Sequence, residues 1–257
     1  MDYKLEYMER LFAKISKKKT ESYVISRIWH QLNDDRVKFV VQQYIRRTHD
    51  KYALADLYLP QLNILIEINE PFHKNNVEVD KIRNEEIINT THAQLLVVDC
   101  DNDIQEIHRQ ISIIVWAIKL TIQQLGEKFQ AWDDVSTLSV EYHRNKGYLK
   151  VEDNECLRTT EDVAAIFGTV AKHRGFLRAS GAAIPNKKNE IVWWPNTEHH
   201  LWHNELSEDG MFIYEYPKVN EKREAHLNQW LSAPEETRIT FLRYKDDLGF
   251  CFYVSIR

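Results

Sequence analysis

The chain lacks several features that would place it in a specialised class of proteins. Its 257 residues contain no apolar run near the roughly 18 residues that a membrane span needs. The N-terminus, MDYKLEYMERLFAK, is charged and does not have the apolar core of a signal peptide. Three cysteines, Cys100, Cys156 and Cys251, are few and far apart, which indicates neither a disulfide framework nor a zinc knuckle. We therefore expect a soluble, cytoplasmic protein with reduced cysteines and no membrane partner.

Glycine is absent from the first 125 residues of the chain. All seven glycines lie at position 126 or later, and the first 125 residues contain only two prolines. The first half is typical of long helices and strands with few special turns, and the second half of short strands joined by turns. Hydrophobic residues at 43% and charged residues at 28% are globular values. We therefore predict two folded domains, residues 1–130 and 131–257.

Apolar periodicity predicts an α/β arrangement for the N-terminal domain. Helical spacing covers 4–18, a second helix from about residue 20, the region around 77–90, and 104–125. The order α-α-β-β-β-α-β-α predicts helices that cover a short mixed sheet. The apolar face of the last helix suits the domain core and a partner molecule equally well. The predicted strands are Val37–Ile45, Ala55–Leu59, Asn63–Asn69 and Gln94–Asp99.

Polar side chains interrupt two of these apolar strands. Asp56 lies in ADLYLP, and ILIEINE places Glu67 and Asn69 on the same face of the next strand. A hairpin between the strands would bring Asp56 near Glu67, and carboxylate and amide oxygens are ligands that suit Mg²⁺. The alternative is structural: Asp56 caps a turn, and Glu67 pairs with Arg83 or Lys81.

Residues 20–99 resemble the PD-(D/E)XK nucleases, in their branch similar to the very-short-patch repair (Vsr) endonuclease. The matching segments are TESYVISRIWHQL with Glu21, ADLYLP with Asp56, ILIEINEPFH at 64–73 and DKIRNEEI at 80–87. The resemblance implies that Asp56, Glu67 and Asn69 hold a divalent metal, Mg²⁺ or alternatively Mn²⁺. It also implies that Glu21 orients a metal-bound water and that His73 assists proton transfer or steadies the leaving phosphate.

Further residues follow from the same resemblance, with one departure. Glu70 stands where glycine or glutamate is common in the active site, and Asp80 and Arg83 would brace the site from the following helix. Asn69 occupies a position that is more often aspartate, or lysine in the broader superfamily. An amide can ligate a metal but brings no charge and cannot act as a base. The sequence therefore leaves an inactive nuclease domain as an alternative.

The C-terminal part combines predicted short strands with many aromatic residues. In WHNELSEDGMFIYE, Trp202 could stack on a flipped base, Asn204 could read its edge, and Glu215 could accept from an exocyclic amine. This segment and RITFLRYKDDLGFCFY resemble the SRA-like domain of modification-dependent restriction endonucleases of the PvuRts/AbaSI family. The resemblance implies an α+β, β-barrel-like domain that recognises 5-hydroxymethylcytosine or its glucosylated form. A competing interpretation of HHLWH is a zinc site formed by His199 and His203.

Basic residues are the candidates for contacts with the DNA backbone. The formal charge of −5 does not oppose DNA binding, because phosphates need only a local positive potential. An ordinary solvated surface is the alternative for each basic group. The candidates are Lys38, Arg46, Lys172, Arg174 and Arg178.

Together these features predict a Mg²⁺-dependent endonuclease that cuts double-stranded DNA near modified cytosine. By analogy it would act as a homodimer, because one nuclease site cuts one strand. One alternative is a reader of modified DNA with an inactive nuclease domain. Another keeps the nuclease and gives the C-terminal domain a different target, such as a mismatch or an RNA.

Overall fold

The computed structural model describes residues 2–48, 51–70, 77–169, 180–231 and 235–256. The chain forms two compact units. Unit 1 comprises Met1–Val135 together with Asp246–Gly249, and unit 2 comprises Ser136–Lys245 and Phe250–Arg257. No helix in the described ranges has both the length and the hydrophobicity that crossing a membrane requires.

Unit 1 has the predicted order of helices and strands, α-α-β-β-β-α-β-α. The bounds are α1 Tyr3–Ile15, α2 Lys19–Leu32, β1 Val40–Arg46, β2 Tyr52–Leu59, β3 Ile64–Asn69, α3 Val77–Thr91, β4 Gln94–Asp99 and α4 Ile104–Leu125. The four strands form one sheet in the order β1-β2-β3-β4. Neighbours are antiparallel except β3 and β4, which are parallel. The predicted short mixed sheet is therefore confirmed.

Local signals in the sequence explain where the helices begin. The carboxylate of Asp2 accepts the backbone N–H groups of Lys4 and Leu5, and Asp103 caps the start of α4 in the same way. Such caps satisfy donors that the first turn of a helix leaves unpaired. The side chains of Asp2 and Asp103 therefore fix the N-terminal ends of α1 and α4.

The sheet of unit 1 is buried on both faces. One face packs against α1, α2 and α4 in a large core that includes the isoleucines of β3. The apolar face predicted for α4 lies in that core: Ile111, Ile114, Val115 and Ile118 are buried. This face is therefore occupied within its own unit. A smaller cluster on the other sheet face includes Leu65 of β3 and Ile87 of α3.

Trp132 explains why unit 1 extends beyond residue 130. It is fully buried, and its ring makes edge contacts with the rings of Tyr3 and Tyr7 in α1. Its backbone N–H donates to the carbonyl of Arg36. An aromatic side chain of this size contributes much apolar area to a core, so the segment that carries it stays with unit 1 up to Val135.

Unit 2 contains short elements around an open sheet. Its elements are α5 Val140–Lys146, β5 Cys156–Leu157, α6 Thr160–Ile166, β6 Gly181–Ala183, β7 Glu190–Trp193, β8 Trp202–Leu206, β9 Ile213–Pro217, α7 Arg223–Leu231, β10 Thr237–Asp246 and β11 Gly249–Ile256. Five strands pair in the order β5-β11-β10-β7-β6, and β8 and β9 form a separate two-stranded ribbon. The barrel-like expectation is therefore wrong for the described strands, because the ribbon does not close the larger sheet.

Cys156 and Cys251 form a disulfide between β5 and β11, with their Cα atoms 5.6 Å apart. The sequence predicted no disulfide and reduced cysteines, and that prediction is wrong for this pair. The two residues are 95 positions apart, so their spacing gives no sign that their strands are neighbours. Cys100 in unit 1 is buried and free.

Candidate functional site

Three buried carboxylates from three elements of unit 1 lie close together, two of them on the central strands of its sheet. Asp56 comes from β2, Glu67 from β3 and Glu21 from α2, and they are only 9%, 5% and 7% exposed. The β2–β3 register pairs Leu57 with Ile66, which places Asp56 opposite Glu67 one step further along. Cross-strand neighbours share a face of the sheet, so the hairpin brings these carboxylates together.

The Asp56 carboxylate is held by two donors. Its Oδ2 accepts the buried N–H of Ile68 at 2.9 Å, and its Oδ1 accepts from Nε2 of Gln42 at 3.3 Å. The same Nε2 donates to Oε2 of Glu21 at 2.9 Å, while Lys18 Nζ contacts the other Glu21 oxygen at 2.6 Å. Gln42 therefore links Glu21 to Asp56. Asp56 lies inside β2, so it does not cap a turn.

Glu67 is paired with Arg83 of α3. Arg83 Nη2 lies 3.3 Å from each Glu67 oxygen and donates to the carbonyl of Leu54 at 3.0 Å. The ion pair considered as a structural alternative is therefore present. It also matches the bracing role that the nuclease resemblance implies for Arg83, so this contact alone does not separate the two interpretations.

The charges of the cluster do not balance. Burial raises the pKa of Glu67 to about 7, and it also raises the pKa values of Asp56 and Glu21. Among the described residues, the cations in contact with the three carboxylates are Lys18 and Arg83. Buried carboxylates are costly when their charge is not compensated. A bound cation would supply the missing positive charge.

This donor set suits Mg²⁺ better than it suits a metal ion that requires all of its ligands from protein side chains. Within the described ranges, no three His, Cys, Asp or Glu side chains form a ready-made metal group. Mg²⁺ usually takes one or two carboxylates and completes its coordination with water and substrate phosphates. Asp56 and Glu67 are suited to that pattern, with Glu21 one hydrogen-bonded step away through Gln42.

The raised pKa of Glu67 predicts how pH affects the metal-free protein. Its pKa is higher in the folded chain, about 7, than the ordinary 4.5, so the folded state binds more protons between these values. The contribution of Glu67 to stability therefore falls as pH rises from 4.5 to 7. The loss is on the order of 3 kcal/mol. Thermal unfolding in EDTA would measure it.

A matched pair of variants isolates this effect of pH. Glu67→Gln removes the titrating group, so its unfolding temperature is expected to fall less over the same pH range. Glu86→Gln removes a half-buried glutamate whose pKa is lowered by hydrogen bonds from Thr48 and Arg47, and it is expected to retain the fall. A wild-type unfolding temperature that rises throughout this range would contradict the prediction.

The remaining predicted active-site residues lie at or beyond the end of β3. Asn69 ends the strand exposed, on the same face as Glu67, and its carbonyl accepts the N–H of Cys100 at 2.9 Å. Glu70 follows, and its charge contributes to the raised pKa of Glu21. His73 lies outside the described residues. Asp80 lies within α3, and its side chain also falls outside the described part.

The sequence interpretation missed Gln42 and Lys18. Both contact the carboxylates directly. Gln42 lies in VVQQYIR, where two adjacent glutamines are typical of a half-exposed strand. Its positive φ of 53° is not visible in the sequence, since glutamine seldom adopts the left-handed region. Lys18 is the last residue of the region 4–18 that we predicted to be helical, and nothing in that pattern indicates a contact with a carboxylate.

The three predicted base-reading residues share one face of the β8–β9 ribbon. Asn204 is paired directly with Glu215, and Trp202 lies two residues before Asn204 on the same face. Asn204 is 8% exposed; its Nδ2 donates to the carbonyl of Asn196, while its buried Oδ1 has no hydrogen-bond partner within the ranges that the structure describes. A buried acceptor without a partner is uncommon in proteins.

A cation lies beside the carboxylate of this group. Arg238 contacts Glu215 at 3.5 Å, with both side chains 22% exposed. The Arg238 guanidinium also lies over the ring of Trp193, 4.8 Å from its centroid. Glu215 is thus held at the edge of the face by an ion pair while part of it stays accessible.

The zinc interpretation of HHLWH is wrong for the described structure. His203 lies on β8 and bonds to Glu205 at 2.9 Å. His199 precedes the strand, and its Nδ1 accepts the N–H groups of Leu201 and Trp202. The two histidines therefore do not share a helix face, and the described residues contain no group of three side chains that could hold a metal ion.

The residues predicted to contact the DNA backbone differ in how accessible they are in the structure. Lys38 is only 4% exposed, and its Nζ lies over the rings of Tyr7 and Trp132. Burial there keeps the ammonium group of Lys38 away from a phosphate of bound DNA. Arg46 ends β1 with its side chain 45% exposed and 3.5 Å from Asp247. Lys172, Arg174 and Arg178 lie outside the described residues.

Comparisons with known proteins cover nearly the whole chain. The family model for the N-terminal part of restriction endonuclease PvuRts1I-like proteins matches residues 5–152. The SET and RING associated (SRA) domain matches residues 142–254. The solved structure of the 5-hydroxymethylcytosine-specific restriction enzyme AbaSI is 32% identical, with 91% of this chain and 84% of that chain covered and a TM-score of 0.44. No curated protein matches.

Proposed function

This chain belongs to the PvuRts1I-like restriction endonuclease family and carries an SRA domain, and from this premise we propose that it cleaves double-stranded DNA containing modified cytosine. The family resemblance stated from its motifs is confirmed. We propose 5-hydroxymethylcytosine or its glucosylated form as the recognised base. The support is the similarity to AbaSI and the face that carries Trp202, Asn204 and Glu215.

In the proposed reaction, the buried carboxylates prepare a site for phosphodiester hydrolysis. Asp56 and Glu67 would hold Mg²⁺ or Mn²⁺, which when bound polarises the scissile phosphate, lowers the pKa of water and neutralises the leaving oxygen. Glu21 orients the attacking water and accepts its proton, since its raised pKa makes it a better base. Arg83 keeps Glu67 in place from α3.

Residues after β3 complete the proposed nuclease site. Asn69 offers an amide oxygen to the metal without adding charge. Glu70 adds negative charge near Glu21. His73 is proposed, from the family motif, to steady the leaving phosphate or assist proton transfer. Fewer charged ligands would lower the affinity for metal, so we expect cleavage to require millimolar rather than micromolar Mg²⁺.

The proposed reading step takes a base out of the duplex. Trp202 stacks on the flipped cytosine, and Glu215 accepts from its N4 amine. Asn204 Oδ1, which has no partner among the described residues, accepts a further donor, and a hydroxymethyl group supplies a hydroxyl donor at C5, where unmodified cytosine has only a hydrogen. This contact gives a physical reason for preferring hydroxylated to unmodified cytosine.

One observation carries the proposal for the nuclease: three buried carboxylates that contact only two cations among the residues that the structure describes. The test incubates the protein with Mg²⁺ and three DNAs that differ only in carrying cytosine, hydroxymethylcytosine or glucosyl-hydroxymethylcytosine. Cleavage confined to modified DNA would support the proposal. Equal cleavage of all three would contradict the base-reading role and favour a different target, such as a mismatch or an RNA.

A reader without nuclease activity is the second candidate, and Asn69 is the observation that favours it. Its amide replaces the charged group that is common at this position of related nucleases. Tight binding to one modified DNA without cleavage, in either Mg²⁺ or Mn²⁺, would establish the reader and contradict the nuclease.

We also propose that the chain acts as a homodimer. Each chain carries one Glu21–Asp56–Glu67 cluster in its described part, and a double-strand break needs two such sites. The proposed contact is the outer side of α4, where Trp116 is 64% and Ile113 50% exposed. Exposed apolar groups of this size commonly mark an interface.

Trp116→Glu is expected to convert a dimer into a monomer, because it places a charge in the proposed apolar contact. Analytical ultracentrifugation measures the change. Leu5→Glu is the matched control, since Leu5 is 54% exposed on α1, away from the proposed surface, and it should leave the dimer intact. A wild-type protein that sediments as a monomer, also with DNA bound, would contradict the dimer.

A further inference from the structure

We propose that Gln42 is a positioning residue of the cleavage site, whose amide holds Glu21 and Asp56 in the arrangement that metal binding requires. The inference rests on the proposed nuclease function. It starts from one atom: Gln42 Nε2 donates to Glu21 Oε2 at 2.9 Å and to Asp56 Oδ1 at 3.3 Å. An amide nitrogen carries two hydrogens, so both are used on carboxylates.

The backbone at Gln42 is distorted in a way that serves this contact. Gln42 has a φ of 53° inside β1, although glutamine has a Cβ that disfavours this region. The register with β2 is unchanged across it, with Val41 opposite Leu57 and Gln43 opposite Ala55. The distortion therefore adds no residue to the strand and changes only its local conformation.

The residues of β1 before and after Gln42 pack into different hydrophobic clusters. Val41 lies in the cluster with α1, α2 and α4, whereas Ile45 lies in the cluster with α3. Residues four apart on a regular strand share one face, so β1 changes faces between them. On β2, Leu57 belongs to the same cluster as Val41, and Ala55 belongs to the same cluster as Ile45. The change occurs at the level of Gln42 and Asp56.

Unfavourable backbone conformations that persist in folded proteins tend to cluster at functional sites. Here the conformation is also supported from outside the strand, because Lys14 Nζ donates to the carbonyl of Val41 at 3.0 Å. This bond fixes the peptide group just before Gln42. The unfavourable backbone conformation of Gln42 is thus maintained, and it places the side-chain amide between the carboxylates of Glu21 and Asp56.

A neutral amide is the chemically suitable group for this bridge. Two adjacent buried carboxylates repel each other, and a donor between them permits their approach. A lysine or arginine would do the same but would cancel the negative charge that attracts a divalent cation. Glutamine holds the carboxylates together and leaves their charge for the metal.

Two substitutions test the proposal in the full-length protein. Gln42→Asn keeps a residue that tolerates the left-handed conformation but is too short to bridge, and Gln42→Gly removes the backbone strain together with the amide. Both are expected to weaken Mn²⁺ binding, measured by calorimetry without DNA, by about 10- to 100-fold, as for other groups that orient metal ligands. Cleavage should fall by a similar factor at low metal and recover partly at high metal.

Stability distinguishes this role from a merely structural one. Gln42→Gly is expected to unfold at a temperature no lower than wild type, because glycine adopts a positive φ without strain. Gln43→Asn is the matched control: Gln43 is the next residue of β1, and its amide donates to the carbonyls of Tyr44 and Leu248 instead of carboxylates. It should bind Mn²⁺ and cleave DNA as wild type does.

The outcomes separate this inference from the proposed function. Wild-type affinity for Mn²⁺ in both Gln42 variants would overturn the role of Gln42, whether or not the protein cleaves DNA. Losses in the Gln42 variants that match a loss of folded protein would overturn it as well. A wild-type protein that binds Mn²⁺ through this bridge but cuts no DNA would contradict the nuclease alone.

Discussion

Replacing Asp56 by asparagine or Glu67 by glutamine is expected to abolish DNA cleavage and leave the binding of modified DNA nearly unchanged. Each change keeps the size of the side chain and removes a charge from the pair proposed to hold the metal. Stabilisation by a bound metal is worth several kcal/mol, and each 1.36 kcal/mol is tenfold in rate. The cleavage rate should therefore fall by roughly a thousandfold or more.

Single-turnover cleavage and a mobility-shift assay measure the two quantities separately. Glu86→Gln serves as the control, because this carboxylate contacts Arg47 and Thr48 away from the proposed metal ligands. It is expected to cut at the wild-type rate. Cleavage by the Asp56→Asn, Glu67→Gln double variant near the wild-type rate would refute the assignment of the metal site.

The same substitutions connect catalysis to stability. Burial raises the pKa of Glu67 to about 7, so the charged form destabilises the metal-free fold at alkaline pH. Glutamine resembles the neutral form, and the variant is expected to unfold at a higher temperature than the wild type in EDTA at pH 8. A site that gains stability when it loses a charged ligand is one built for a cation.

Much of unit 1 could be predicted from the sequence because its elements are long. The 22 residues of α4 and the apolar run of β3 carry clear periodic signals. Unit 2 offered less: β5 has two residues and β6 has three, too few to show a period of two. Its sheet also pairs β7 with β10 in parallel, a long-range contact that no local pattern encodes.

The same distinction holds for the residues of the site: some could be predicted from the local sequence, and others depend on contacts between distant parts of the chain. Asp56 and Glu67 could be found because a carboxylate in an apolar strand requires an explanation. Lys38 could not be placed, since its burial over Tyr7 depends on how α1 packs against the sheet. The role of Gln42 depends on a backbone angle and on α2 lying beside it, and neither leaves a mark in the sequence.

Substitutions on the proposed base-reading face of the β8–β9 ribbon are expected to have the second large effect, which is on the affinity for modified DNA and not on the cleavage rate. Trp202→Ala is expected to reduce the preference for modified over unmodified DNA, because in the proposed reading step only the modified base is flipped onto the ring, and this stacking is worth about 1–3 kcal/mol per base. This energy corresponds to roughly 5- to 150-fold in affinity. Asn204→Ala should act in the same direction and most strongly on hydroxymethylcytosine, since it removes the buried acceptor Oδ1, which has no partner in the described part of the chain.

Competition binding in the Glu67→Gln background measures this preference without cleavage. The opposite face of the same ribbon supplies the controls, because His203 and Glu205 alternate with Trp202 and Asn204 along β8. His203→Ala and Glu205→Gln should keep the preference, although either can change general affinity through its charge. Equal losses for modified and unmodified DNA in Trp202→Ala would show a backbone contact. A lost preference in the controls alone would place the base on the other face of the ribbon.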